Sequence, residues 1–256
     1  MPDLSAVLPE LVALSRHLGD PARDLAILGE GNTSARVDET SFLVKQSGKE
    51  MGAADEESFV LVSTQKILAT LEGPDIDDAE VGRVLLDSRI GCTGERPRPS
   101  VETFLHAYLL SLPGIAFVGH THPTAVNSIL CSANSREAVS GRLFPDEIVC
   151  CGPAVCYVEY VDPGVVLAKT VRDRVEAFID TYNMAPKVIL MENHGLIATG
   201  KTARDVQTAT AMYVKTARVL LGTYALGGPR FFTPENVARI HTRPDEAYRQ
   251  NLIGNK

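Results

Sequence analysis

Short apolar runs rich in β-branched residues alternate with longer stretches of helical period along nearly the whole chain. No proline-rich, glycine/serine-rich or charged linker interrupts that alternation, and no segment repeats another. Strands that are apolar along their length need cover on both faces, and interleaved amphipathic helices provide it. The pattern therefore predicts one three-layer α/β domain over residues 1–256. At 256 residues with 45% apolar side chains, the chain can build a core of that kind.

Residues 4–18 place Leu4, Val7, Leu8, Leu11, Leu14 and Leu18 at helical spacing, and Gly19 and Pro21 end the pattern. SFLVKQS (41–47) and FVLVS (59–63) read as strands of a meander. Helices are expected at 79–86 and at 101–112, where Ser100 of PRPSVE is a candidate cap. IAFVGHTH (115–122) reads as a buried strand and PTAVNSILCSA (123–133) as the helix after it. Further strands are expected at EIVCCG (147–152), AVCYVEYV (154–161) and KVILMENHG (187–195), with helices at 164–183 and 201–226. From Gly227 onward apolar positions thin out and prolines accumulate, so 227–256 is expected to be a C-terminal extension that wraps the surface or is partly disordered.

A net charge of −7 and a pI near 5.4 argue against a nucleic-acid or anionic membrane partner, which such a protein would repel. No run approaches the roughly 18 apolar residues of a spanning helix, and the opening segment reads as an amphipathic helix rather than a signal peptide. The five cysteines, Cys92, Cys131, Cys150, Cys151 and Cys156, are odd in number and lack a disulfide framework. They point to reduced thiols and a cytoplasmic location. In the apolar run IVCCGPAVCYV the last three read as small buried hydrophobes.

Three of the six histidines stand at the ends of apolar β-like runs: His120 and His122 after IAFVG, and His194 after KVILMEN. Residues two apart on a strand point to one side, so His120 and His122 can converge while Thr121 faces away. With His194 they form a candidate three-imidazole site for a divalent ion: zinc, with manganese or cobalt as alternatives. A three-nitrogen site leaves a coordination position open for substrate, and the ion then acts as a Lewis acid on a carbonyl oxygen. Such chemistry needs a proton carrier. Glu102, at a loop-to-helix junction in RPRPSVETFLH, is the leading candidate, although on its own such a residue more often only complements the helix dipole in the first turn. GEGNTS (29–34) and QSGKE (46–50) can expose backbone N–H groups and hydroxyls to an anion; the alternative is two polar turns.

Taken together and in this order, GEGNTS, QSG, RPSVETFLH, the His-x-His-Pro of residues 120–123 and ENHGLIA (192–198) resemble the class II aldolase/adducin family. The likeness runs from about residue 5 to residue 225. It implies a single αβα domain with a central mixed, largely antiparallel sheet. It also implies His120, His122 and His194 as metal ligands and Glu102 as the acid/base residue. Asn32, Ser34, Ser47, Gly48 and Ser100 would line the anionic end of a small hydroxylated carbonyl substrate. The implied activity is retro-aldol cleavage of a ketose or ketose phosphate through a metal-stabilised enediolate. Decarboxylation of a 3-oxo sugar acid, epimerisation of a sugar phosphate and a non-catalytic adducin-like module are the alternatives.

The chain also departs from the family's pattern. Sugar-phosphate aldolases of this family often carry two serines before the glutamate, whereas Val101 fills the second place here. That Ser-Val-Glu form resembles the aldolase portion of fused rhamnulose-phosphate aldolase/dehydrogenase proteins, although this chain is too short to hold the dehydrogenase. The family's aldehyde-protonating tyrosine has no evident counterpart; Asp146, Tyr157 and Tyr160 lie in the corresponding region. A homotetramer with its site near the subunit interface is the family's usual assembly.

Overall fold

The computed structural model describes residues 3–243. Seven strands, β1 Asn32–Arg36, β2 Ser41–Lys45, β3 Phe59–Ser63, β4 Phe117–Thr121, β5 Cys156–Val158, β6 Val188–Met191 and β7 Gly195–Gly200, form one sheet. Their order across it is β3-β2-β1-β4-β7-β6-β5. Every pairing is antiparallel except β5 with β6. A parallel pair needs a crossover, and here the helix α8 (Val165–Tyr182) makes it.

The remaining helices are α1 Val7–Leu18, α2 Thr64–Glu72, α3 Asp78–Asp87, α4 Thr103–Ser111, α5 Thr124–Leu130, α6 Ser135–Ala138, α7 Pro145–Cys151, α9 Ala203–Tyr224 and α10 Pro234–His241. Alternation along the strands builds two separate cores. Val188 and Leu190 of β6 face the core made with α1, α5 and α9. Ile189 and Met191 face the core made with α2, α4 and α8. Fully burying one such side chain contributes roughly 1.5–3 kcal/mol, and β6 does so four times over. The expected αβα sandwich with a mixed, largely antiparallel sheet is thus the fold observed.

Several local expectations need correction. EIVCCG is not a strand but most of α7. Pro145 starts that helix at its first turn, and the Glu147 carboxylate accepts from Leu143 N at 2.7 Å and from Arg142 Nη1 at 3.0 Å. Ile148, Val149 and Cys151 fill the cores from there. The segment KVILMENHG is strand only to Met191; residues 192–194 turn, and β7 begins at Gly195. Strands β1 and β7 and helices α2, α6 and α10 come from segments without a predicted element of that kind. In the tail, α10 packs against α7 and buries Ile240, while residues 244–256 lie outside those described.

Candidate metal centre

One end of the sheet gathers the predicted histidines. His120, fully buried, lies in β4 opposite Asn32 of β1 on one side and Ile197 of β7 on the other. His122 follows β4 directly, its N–H bonded to Leu25 O at 2.8 Å. His194 comes in from the β6–β7 turn. Residue 193 of that turn is left-handed (φ 51°), a conformation asparagine tolerates well. The turn is fastened at each of its residues. Tyr160 N donates to the Glu192 carboxylate at 3.2 Å, Asn193 N to Leu130 O at 3.2 Å, and Asn127 Nδ2 to His194 O at 3.0 Å.

The three imidazoles offer one nitrogen each within 4.8 Å of one another. His120 Nε2 and His122 Nε2 are 2.9 Å apart, and the ring centroids are 4.7–5.3 Å apart. Two glycines make this convergence possible. A Cβ at Gly195 would stand 2.7 Å from His122 Cδ2, and one at Gly31 would stand 2.5 Å from His120 O. Gly31 also has φ 63°, where a side chain is strained.

Glu102, in the turn before α4, points into the same space. Its Oε1 lies 3.3 Å from His120 Nε2 and 3.1 Å from His194 Nε2. Asn32 Nδ2 donates to its other oxygen and approaches Ser100 Oγ at 3.3 Å. Burial pushes the Glu102 carboxyl upward, but the charge and N–H groups of His120 and His194 outweigh it and hold the group well below the usual range. Burial lowers His120, and the Glu102 carboxylate more than reverses this, so its net shift is upward. Burial and the two neighbouring rings bring His122 down to about 3. Three imidazole nitrogens and a carboxylate therefore surround one point, a donor set suited to a divalent cation.

Below this point, Ser34 Oγ bonds the Nδ1 of fully buried His106 at 2.6 Å. Ser34 is itself fully buried, and its hydroxyl ties β1 to α4 through that bond. Ser47 and Gly48 stay exposed in the loop after β2, where Ser47 N donates to Arg98 O at 2.9 Å. Ser47 lines a cleft with Gln46, Glu95, Arg96 and Arg98. Ser100, the expected cap, accepts from Glu102 N at 3.3 Å, although α4 begins only at Thr103.

The hydroxyls of Tyr157 and Tyr160 are bonded to Ser135 at 2.7 Å and to Asp162 at 3.0 Å. Asp146 sits in the first turn of α7. Two participants escaped the sequence reading. Glu30 places Oε1 3.7 Å from His122 Nδ1, and Lys45 is a buried ammonium beside Glu102 that burial lowers to about 8. A lysine at the inner end of an otherwise apolar strand was the available signal for the second.

Comparison with known proteins places these features in a wider group. Residues 9–221 match the family described as class II aldolase and adducin N-terminal domain. An uncharacterized oxidoreductase, YuxG, from Bacillus subtilis (strain 168) is 30% identical over 216 residues, covering 81% of this chain and 28% of that protein. The bifunctional enzyme MtnB/MtnX of Bacillus licheniformis is 25% identical over 206 residues, covering 80% of this chain and 42% of that protein. The chain thus spans less than half the length of either relative. Among solved structures, the N-terminal class II aldolase domain of a conserved Thermoplasma acidophilum protein superposes with a TM-score of 0.67 at 26% identity, covering 86% of this chain and 96% of that one. An L-fuculose 1-phosphate aldolase shares the fold with a TM-score of 0.69 at 16% identity, covering 94% and 96%.

Proposed function

Because the chain belongs to the class II aldolase and adducin family, we propose that it is a metal-dependent carbon–carbon lyase acting on a small ketose or ketose phosphate. The observation that carries this reading is the carboxylate of Glu102 seated 3.3 and 3.1 Å from two of three convergent imidazoles. A structural module needs neither the histidine cluster nor a buried acid within it. His120, His122 and His194 would hold a divalent ion, zinc by preference, which when bound supplies a Lewis acid for the substrate's carbonyl and adjacent hydroxyl.

The chain's own residues do the rest. In the cleavage a hydroxyl loses its proton and becomes an aldehyde carbonyl, and the carbon–carbon bond breaks. The electron pair passes to the other fragment as an enediolate, which takes up a proton at carbon. Glu102, ionised in the resting site, accepts the first proton and delivers one at that carbon. Asn32 holds the second carboxylate oxygen and so fixes the first toward the substrate. Ser100, Ser47 and the N–H groups around Gly48 take the anionic end. Ile27, Leu28 and Val101 are 62%, 75% and 38% exposed beside the site, an apolar rim that a second copy of the chain would cover in a homotetramer.

Metal analysis of the purified protein and product analysis test this reading together. Wild type is expected to hold stoichiometric metal and the His120→Ala, His122→Ala, His194→Ala triple variant none. A panel of ketose phosphates, free ketoses and 3-oxo acids should give two carbon fragments from a ketose. Release of carbon dioxide alone, or an epimer alone, would replace the lyase with the corresponding activity, and metal-free wild type would end the proposal.

A further inference from the structure

A metal-bound histidine normally donates its second ring N–H to a fixed acceptor, which sets the tautomer and aims the ring. Two of the three rings here have such a neighbour. His120 turns Nε2 to the cluster and Nδ1 to Leu196 O at 3.1 Å. His122 likewise turns Nε2 inward, and its Nδ1 faces Glu30 Oε1 at 3.7 Å. The other oxygen of Glu30 is held by Ile27 N at 3.0 Å. His194 presents Nε2 to Glu102 at 3.1 Å, so Nδ1 is its outward nitrogen, and among the described residues it makes no hydrogen bond.

An unused acceptor belongs to the side chain that already grips the same residue. Asn127 donates from Nδ2 to the His194 carbonyl at 3.0 Å, while its Oδ1 is buried with no partner among the described residues. Buried amide oxygens are normally satisfied, so a lone one on the side chain that already holds the His194 backbone calls for a donor. The geometry points to Asn127 as a positioning residue that accepts a hydrogen bond from His194 Nδ1–H, directly or through one water, when the site is loaded. Nδ1 then keeps its proton and Nε2 is the ligand atom.

The helix that carries Asn127 strengthens the assignment. Helix α5 has 7 residues, starts straight after His122-Pro123, and gives Leu130 O to Asn193 N as well as Asn127 to His194 O. One short rigid element thus ties the paired ligands on β4 to the third ligand on the β6–β7 turn.

The inference rests on the metal-site reading, and its test separates the two. Wild type, Asn127→Leu and Ser128→Ala, an exposed neighbour on the same helix, are loaded with zinc or cobalt(II). Affinity is measured by chelator competition, the cobalt absorption spectrum is recorded, and folding is checked by circular dichroism. Asn127→Leu should lose about 10–100-fold in metal affinity, the usual effect of removing an outer partner, and shift the cobalt bands. Ser128→Ala should match wild type. A folded Asn127→Leu with wild-type affinity and spectrum overturns the inference while leaving the metal site standing. A wild type that binds no metal overturns both. Should the leucine variant not fold, nitrogen NMR of zinc-loaded wild type decides: a protonated, exchange-protected Nδ1 on His194 supports the assignment, and metal on Nδ1 or an unprotected proton refutes it.

Discussion

Replacing Gly195 by alanine tests whether the imidazole cluster depends on a missing side chain. Gly195 has ordinary negative-φ backbone, so alanine is conformationally acceptable there and the effect is purely steric. The added methyl would lie 2.6 Å from Thr121 O, 2.7 Å from His122 Cδ2 and 3.2 Å from His120 Cε1. Non-bonded carbons rest about 3.5–4.0 Å apart. The His122 ring must therefore retreat by about 0.8–1.3 Å, several times the roughly 0.2 Å within which ligand distances are held. Metal affinity should fall at least about 100-fold, the upper end of the effect of losing an outer partner. Overpacking adds roughly 1–3 kcal/mol of destabilisation, a drop of about 2–12 °C in Tm for a chain of this size. Gly119→Ala is the control. Its methyl would meet Leu18 Cδ1 and Val206 Cγ1 at 2.7 Å, which are side-chain ends in the core away from the rings. It should lower Tm and leave metal affinity alone. Chelator competition and thermal melts on both variants decide. Wild-type affinity in Gly195→Ala, or equal metal loss in both, would refute the steric argument.

Glu102→Gln should retain stoichiometric metal and lose about 100-fold or more in turnover, as expected for a general acid–base group; near-normal turnover removes Glu102 from the chemistry. Acid stability should report His106 and His122, which burial above all brings down to about 3 from 6.5. A histidine lowered in the fold binds its proton more readily when unfolded, so stability is full above pH 6.5. It falls as pH drops from 6.5 toward 3, by up to about 1.4 kcal/mol per pH unit for each of the two histidines. His106→Gln should flatten that slope in urea melts across the window, and an unchanged slope would assign the titration elsewhere.

Apolar patterning made β2, β3, β4, β6, α8 and α9 legible, because their periods are sustained and their ends are punctuated. It failed where burial is polar. Strand β1 reads NTSAR, and its small polar side chains find partners on other elements: Thr33 on Ser15 of α1, Ser34 on His106 of α4, Asn32 Nδ2 on Glu102. No local signal reveals those partners. The EIVCCG run failed for the opposite reason, since a short apolar β-branched segment suits a strand and a buried helix equally. Arg142 and Glu147 settle the matter through contacts no period shows. The histidine cluster was legible from strand alternation plus a third histidine at a strand end. The bond from Ser34 to His106 was not, because it joins residues 72 positions apart that no local pattern links.

The antiparallel ladder around β4 also governs when the centre can exist. Asn32 meets Glu102 across 70 residues of chain, Ser34 meets His106 across 72, and His120 meets Leu196 across 76. Every one of these encounters closes a long loop, so the unfolded chain has no preassembled chelate and the centre forms only as the central strands zip together. An ion that binds only the finished form shifts the folding equilibrium by RT ln(1 + [M]/Kd). On the proposed metal site, the free metal concentration during refolding should accordingly set the yield of native protein.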